Sequence, residues 1–141
     1  MTSYAISVGD VKAFERRHGR IPAGAAVIAW TGWQDKWGTP AYFNYGADGE
    51  TVHQPGFSIE AARWLLRHRA IRALGTDTFG PDLGIDPEFQ VTTLILHQRR
   101  FTLENLTGLQ RMPANGGWIV VGGPRNKRGS GAPSTIFGLT R

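Results

Sequence analysis

The chain has 141 residues, of which 40% are hydrophobic and 19% charged, a composition that excludes a disordered protein. It contains no cysteine, which excludes disulfides, cysteine nucleophiles and cysteine-ligated metal centres. The net charge is +5, but the basic residues are scattered in small groups without a nucleic-acid-binding motif, so we expect a small anionic ligand rather than nucleic acid.

The sequence shows no sign of a membrane or export segment. No apolar stretch approaches the roughly 18 residues that a membrane span needs, and the first residues lack the basic and apolar regions of a signal peptide. We therefore expect a cytoplasmic protein without a membrane partner. Its length predicts a single domain over residues 1–141.

The first half of the chain predicts a helix, a strand and a long loop. Ser7 and Asp10 have the spacing of a capping box, which predicts a helix that ends near Gly19. The apolar run 25–30 predicts a buried strand. Residues 31–56 are rich in aromatic residues, glycine and proline, and predict a shaped loop of the length that is usually functional.

A second helix is predicted to begin at Ser58, with Glu60 in its first turn, where the helix dipole favours an acid. A short strand over 71–74 then leads into Asp77. Helix, strand and polar loop in this order are typical of an α/β fold and place Asp77 at the carboxyl end of a strand.

The signals conflict further along the chain. Asp86-Pro87-Glu88 is typical of a helix start, whereas residues 91–96 prefer a strand, and we expect a helix because the resemblance described below favours it. The remaining predicted elements are a strand over 101–103, a short helix over 104–109 and strands over 118–121 and 135–139. The glycine-rich segment 122–131 lacks the phosphate-binding pattern and is interpreted as a connection between strands.

Five short motifs occur in order along the chain: Thr31-Gly32-Trp33, Pro55-Gly56-Phe57-Ser58, Gly75-Thr76-Asp77-Thr78, Leu103-Glu104-Asn105-Leu106 and Gly129-Ser130-Gly131-Ala132-Pro133. Together they resemble the downstream part of the cyclase or kynurenine formamidase family of metal-dependent hydrolases. The resemblance covers essentially the whole chain. It implies an α/β fold like the family's swivelling β/β/α barrel, shortened at the N-terminus, and a homodimer.

The resemblance does not extend to the family's metal ligands. In the family, zinc or manganese is held by an upstream His-x-Gly-Thr-His-x-Asp-x-Pro segment, a downstream histidine and a glutamate, and it activates water for amide hydrolysis. This sequence has no counterpart of the upstream segment. The glutamate matches Glu104, but the histidine matches Thr92, a poor zinc ligand. We therefore expect no metal bound by this chain alone, and a partner chain is one source of the missing segment.

The candidate catalytic residues are Glu104, Asp77 and His53. Glu104 is either a general acid or base, or a charge at the start of a short helix. Asp77 falls in a loop that lines the family's site, although aspartates also form turns. His53 precedes Pro55-Gly56, where the family's chain approaches the cleft, and either transfers protons or packs the loop.

The candidate substrate-binding residues are Trp33, Trp37, Thr92 and Asp82. The two tryptophans either form an aromatic wall for a planar substrate or anchor the loop to the core. Asp82 lies in the same loop as Asp77, and the same choice between site and turn applies to it.

Three functions stay open. The first is a hydrolase of small aromatic amides or lactams whose catalysis depends on residues supplied elsewhere. The second is a metal-free enzyme that uses Glu104, Asp77 and His53 for acid–base chemistry. The third is a non-catalytic binding or regulatory protein that keeps the fold and the pocket.

Overall fold

The computed structural model describes residues 3–124 and 126–140. The chain divides into two compact units, with the boundary between Leu109 and Gln110. The prediction of a mixed α/β fold is confirmed by helices together with parallel and antiparallel strand pairs. Whether residues 1–141 behave as one domain stays a prediction.

The α-helices of the first unit are α1 (Val8–His18), α2 (Ile59–Arg69) and α3 (Gln90–His97). Its strands are β1 (Ala5–Ile6), β2 (Ala26–Ala29), β3 (Gly56–Phe57), β4 (Ala73–Thr76) and β5 (Phe101–Leu103). Within the described residues, no helix is both long and apolar enough to cross a bilayer.

The predicted capping box at the start of α1 is confirmed. The Asp10 amide donates to Ser7 Oγ at 3.2 Å, and the Ser7 amide donates to Asp10 Oδ2 at 2.8 Å. Two amides that the helix leaves unpaired are thereby satisfied. The predicted cap of α2 is also present, because the Ala61 amide donates to Ser58 Oγ at 3.1 Å.

The centre of this unit is a parallel sheet with the strand order β2-β4-β5. Strand β4 is in the middle, with Ala73 opposite both Ala26 and Phe101, and all four of its residues are buried. The apolar faces of the three helices form a core that includes Leu65, Ile71, Leu74 and Ile95. Burial of each such side chain contributes about 1.5–3 kcal/mol to stability.

A second, smaller parallel pair joins β1 to β3, with Ala5 opposite Gly56. Gly56 is in close contact with another segment, because a methyl group on its Cα would lie 2.1 Å from the carbonyl oxygen of Asp82. Phe57 continues this contact by donating its amide to the carbonyl of Pro81 at 2.7 Å. Strand β3 therefore packs directly against the loop that follows β4.

Two predicted helix positions are wrong. Helix α3 begins at Gln90 rather than directly after Asp86, because Phe89 takes a left-handed conformation with φ of 50°. The helix predicted over 104–109 does not form, because Asn105 is also left-handed, with φ of 53°, and a single 3₁₀ turn follows at Leu109–Arg111. A helix cannot continue through a left-handed residue.

The long loop between β2 and β3 has local structure of its own. It contains two 3₁₀ turns, Trp33–Lys36 and Pro40–Tyr42, and an isolated antiparallel bridge between Tyr45 and Val52.

The second unit contains two strands near the predicted ranges, β6 (Trp118–Gly122) and β7 (Thr135–Leu139), and these strands pair as an antiparallel hairpin. Its large apolar side chains are mostly exposed, including Trp118, Val120, Phe137 and Leu139. The glycine-rich segment between the strands is a connection, as expected, apart from Arg125, which lies outside the described residues.

Candidate active site

Asp77 lies at the carboxyl end of the central strand β4, as predicted, and is 1% exposed. Its Oδ1 accepts hydrogen bonds from the Thr31 hydroxyl at 2.6 Å and the Thr31 amide at 3.1 Å. Its Oδ2 accepts one from the Gln34 amide at 3.3 Å. The Asp77 carboxylate therefore attaches the start of the aromatic loop to the end of β4.

Asp82 has a similar structural task at helix α3. Its Oδ1 accepts from the Val91 amide at 2.6 Å and the Thr92 amide at 3.1 Å. The hydroxyl of Thr92 donates to Asp82 Oδ2 at 2.5 Å. Because Phe89 offers no side-chain cap, Asp82 supplies acceptors for Val91 and Thr92 in the first turn of α3, while Asp86 Oδ2 accepts from the Gln90 amide at 3.0 Å. The structure thus brings together two predicted site residues, and it engages the hydroxyl of Thr92 in this cap.

Tyr42 is a buried tyrosine near these carboxylates, although the sequence did not indicate it as a site residue. Its side chain is 3% exposed, and its hydroxyl donates to Asn105 Oδ1 in a short hydrogen bond. Burial, and then the negative charges of Asp77 and Glu104, raise the pKa of Tyr42 to about 12. The phenol is therefore close enough to both candidate carboxylates to respond to their charge.

Glu104 follows β5 directly and is exposed, unlike Asp77 and Asp82. Its Oε1 accepts from the Thr102 hydroxyl at 3.0 Å, and it lies beside Gly80, where an added methyl group would be 3.7 Å away. The adjacent Asn105 is held by two contacts: its amide donates to the Thr78 carbonyl at 2.8 Å, and its side chain accepts from Tyr42. The carboxylate of Glu104 is thus accessible on a fixed backbone.

Four aromatic rings, which we call the aromatic cluster, are grouped around Tyr42: Trp37, Tyr42, Phe43 and Phe79. The ring of Tyr42 makes edge contacts with Trp37 at 5.1 Å, Phe79 at 5.1 Å and Phe43 at 6.0 Å between centroids. Three of the four rings are exposed by 41% or more. Exposed apolar surface of this kind marks binding sites for ligands or partners.

The two predicted tryptophans differ in their surroundings. Trp37 belongs to the aromatic cluster and is 65% exposed. Trp33 donates its indole N–H to the Tyr42 carbonyl at 2.8 Å, and Lys36 lies over its ring, with Nζ 3.2 Å from the centroid. These contacts anchor the loop, which was the alternative interpretation of a tryptophan here.

His53 lies on another part of the aromatic loop. Its Nδ1 is 3.3 Å from Ser3 Oγ, its carbonyl accepts from the Asn44 side chain at 2.6 Å, and its ring covers Gly46. The contacts of His53 within residues 3–124 therefore tie the loop together and do not join it to Glu104 or Asp77.

The described side chains do not supply enough donor atoms for a complete metal site. Among the residues that the structure describes, no three His, Cys, Asp or Glu side chains are grouped so that they could hold a metal ion. Asp77 and Asp82 use their oxygens for backbone amides, and the hydroxyl of Thr92 points to Asp82. Glu104 supplies one accessible carboxylate, which is too few donors for a zinc or manganese site.

Sequence reasoning singled out Asp77, Asp82 and Glu104 but not Tyr42 or its contacts Asn105 and Phe79. The motif Leu103-Glu104-Asn105-Leu106 contained a signal for Asn105, because asparagine tolerates the left-handed conformation. No comparable signal marks Tyr42 or Phe79, because their importance comes from contacts with residues distant in sequence.

Comparison with known proteins gives a consistent result. The Cyclase family model matches residues 2–83. Isatin hydrolase from Roseibium aggregatum is 32% identical over 140 residues, which cover 96% of this chain and 52% of that protein.

Solved structures agree. Isatin hydrolase A from Ralstonia solanacearum superposes with a TM-score of 0.92 at 32% identity, over 99% of this chain and 54% of that chain. Isatin hydrolase A from Labrenzia aggregata, bound to benzyl benzoate, gives 0.89 at 30% identity, over 99% and 55%. The chain thus spans about half the length of the relatives it matches.

Proposed function

This chain belongs to the cyclase family, and from that premise we propose that it forms part of a hydrolase of small aromatic amides or lactams. In this proposal, catalysis needs residues supplied elsewhere, either by a separate polypeptide or by the rest of a longer gene product. Isatin, the substrate in the names of its relatives, is the first compound to test, because it is a small aromatic lactam.

One observation carries the proposal: almost the whole chain aligns with isatin hydrolases at 30–32% identity and with TM-scores of 0.88–0.92. Agreement at this level covers the loops as well as the core. One of these relatives was solved with the product analogue thioisatinate. A ligand with a planar aromatic ring, as isatin and its ring-opened product both have, matches the chemistry of the aromatic cluster.

In this proposal the aromatic cluster supplies the surface on which the substrate ring packs. Trp37, Phe43 and Phe79 are exposed, and they surround the buried ring of Tyr42, so the surface is held by its own edge contacts. Such packing orients a planar ring but leaves its carbonyl free to react. Trp33 supports the surface from behind, through its bond to the Tyr42 carbonyl.

Glu104 is the chain's candidate for handling a proton or orienting the attacking water. It is the exposed carboxylate at the end of β5, and its Oε2 makes no hydrogen bond that the structure gives for the described residues. Asp77 acts in this proposal as a positioning residue, because both of its oxygens hold the segment 31–34. His53 keeps its predicted role as a proton carrier only if the loop around Gly46 rearranges.

A zinc or manganese centre would need donors beyond those described, and no step is derived through one. The alternatives remain a metal-free enzyme and a non-catalytic binding protein. The exposed aromatic cluster favours the binding alternative over the metal-free one, because it offers a ligand surface without requiring His53 near Glu104.

Isatin opening to isatinate, followed by absorbance, tests the proposal. We expect no turnover by this chain alone, and turnover when it is co-expressed with the part of Roseibium aggregatum isatin hydrolase that it does not match. Glu104→Gln should reduce this turnover at least about 100-fold, whereas Glu88→Gln, in another exposed loop, should not. Co-expressed protein that binds isatin but never opens it would favour the binding alternative.

Three finer statements belong to the same proposal. We expect the strands to take part in the family's swivelling β/β/α barrel, we place the protein in the cytoplasm, and we expect the assembled enzyme to be a homodimer. The parallel sheet and the similarity to isatin hydrolases support the first of these. Size measurement of the active assembly tests the third.

A further inference from the structure

Strand β2 has an unprotected edge. Within the described residues it hydrogen-bonds to β4 alone, so its other side lies at the margin of the sheet. Its residues Ala26-Val27-Ile28-Ala29 include no charge and no proline, and Trp30, which follows, is 57% exposed. Natural edge strands usually carry charges, prolines or bulges that prevent pairing with another chain.

Side chains on both faces of β2 already pack against the rest of the protein, so only the backbone edge of this strand is available to a partner. Ala25, Val27 and Ala29 pack against the helical core. Ile28 lies on the other face, where its Cγ1 would be 3.1 Å from a methyl group at Gly75. A partner that satisfies the remaining amides and carbonyls of β2 must itself be an extended strand.

The direction of an added strand follows from its neighbours. The strand pairings β1–β3, β2–β4 and β4–β5 are all parallel. A further parallel strand beside β2 would end at the edge where Thr31 contacts Asp77. The residues after that strand would therefore arrive beside Asp77, Glu104 and the aromatic cluster, which is where additional catalytic donors are needed.

We propose that the edge of β2 is the docking site for the polypeptide that corresponds to the unmatched part of isatin hydrolases, added as a parallel strand. This inference rests on the proposed function, which requires donors from elsewhere. The chain covers 52–55% of each relative, so nearly half of each relative is polypeptide without a counterpart here. A second copy of this chain fits less well, because two-fold symmetry would pair β2 antiparallel to itself and deliver no new loop to the site.

The test co-expresses this chain with a tagged polypeptide made of the unmatched part of Roseibium aggregatum isatin hydrolase. We expect an equimolar complex by size-exclusion chromatography with light scattering. Hydrogen exchange of the amides of residues 26–29 should slow at least about 10-fold relative to the chain alone. Trp30→Lys should weaken the complex at least about 10-fold, whereas Trp118→Lys, on the second unit and also exposed, should not.

The proposal is overturned if no complex forms, if protection appears only outside residues 26–29, or if the chain alone protects these residues by dimerising. Its failure is distinguishable from failure of the proposed function. Protection of residues 26–29 in a complex that never opens isatin would reject the function and keep the docking site. Isatin opening without protection of residues 26–29 would reject the docking site and keep the proposed function.

Discussion

The hydroxyl of Thr31 donates to the carboxylate of Asp77 at 2.6 Å, across 46 positions of sequence. This bond joins the segment after β2 to the segment after β4, at the edge where Tyr42 and Glu104 are also found. The start of the aromatic loop is therefore held by a buried carboxylate. Stability and binding should respond together when this carboxylate is changed.

Replacement of Asp77 should destabilise the protein. Asp77→Ala removes the acceptor for three hydrogen bonds and leaves the donors of Thr31 and Gln34 without it, at a cost of about 1–3 kcal/mol. Urea unfolding measures the loss. Asp35→Ala is the matched control, because Asp35 is exposed on the same loop and should change the free energy of unfolding by less than about 0.5 kcal/mol. Equal effects would contradict the anchoring role.

The hydroxyl of Thr92 should contribute to the stability of the folded protein. Thr92→Val keeps the size of the side chain but removes the donor to Asp82, and it should lower the free energy of unfolding by about 1 kcal/mol. Thr93→Val, one position along α3 and exposed, is the control and should be near neutral. Thermal unfolding of the two variants gives the comparison. Identical midpoints would show that the amides alone hold Asp82.

The ion pair between Glu15 and Arg69 should make stability depend on acid. The guanidinium of Arg69, hydrogen-bonded to the carboxylate at 2.5 Å, lowers the pKa of Glu15 from 4.5 to about 2. The pKa is depressed in the folded state, so this stabilisation is complete above about pH 4.5 and is lost as the pH falls towards 2. Urea midpoints across that range should fall less steeply for Glu15→Gln, whereas Glu50→Gln should follow the unmodified protein.

Tyr42 should ionise later than an ordinary tyrosine. Its pKa is raised to about 12 by burial and by the charges of Asp77 and Glu104, so the folded protein holds this proton between pH 10 and 12 while the unfolded chain releases it. Stability should consequently decrease through that range. Absorbance titration should show a late phenol component that Tyr42→Phe removes and Tyr45→Phe retains. Persistence of the component in Tyr42→Phe would mean that it belongs to another tyrosine.

The chain alone should bind no stoichiometric zinc or manganese. Glu104 offers one accessible carboxylate, and the hydroxyl of Thr92 is committed to Asp82, so any ion should be held weakly. Elemental analysis of the purified, dialysed chain measures this directly. A full equivalent of either metal that Glu104→Gln removes would overturn the account of the donor set.

Local sequence signals predicted the elements whose ends are set by neighbouring residues. The capping box of Ser7 and Asp10 is complete within four positions, and the cap of Ser58 acts three residues ahead. Asp77 was placed correctly because a short apolar run, typical of a buried strand, leads directly into the polar segment that contains it. In these cases the residues that determine where an element begins or ends are only a few positions away in the sequence.

The wrong predictions have distant causes. Helix α3 begins at Gln90 because Phe89 is left-handed, and its first amides are capped by Asp86, which accepts from Gln90, and by the more distant Asp82, which accepts from Val91 and Thr92. The segment after Glu104 is not helical because Asn105 is bound to Thr78 and Tyr42. Of the aromatic cluster only Trp37 was predicted, for the same reason: Phe79 contacts Tyr42 only in the folded chain, and no sequence periodicity indicates this contact.

Because Gly56 has no side chain, strand β3 can lie close to the loop that follows β4. Its hydrogen lets β3 approach the Asp82 carbonyl so closely that even an alanine methyl would overlap it. Since the carboxylate of Asp82 also caps α3, a bulkier residue at position 56 would displace the start of this helix. The absence of a side chain at position 56 therefore sets the distance between the strand pair β1–β3 and helix α3, which begins more than thirty residues after Gly56.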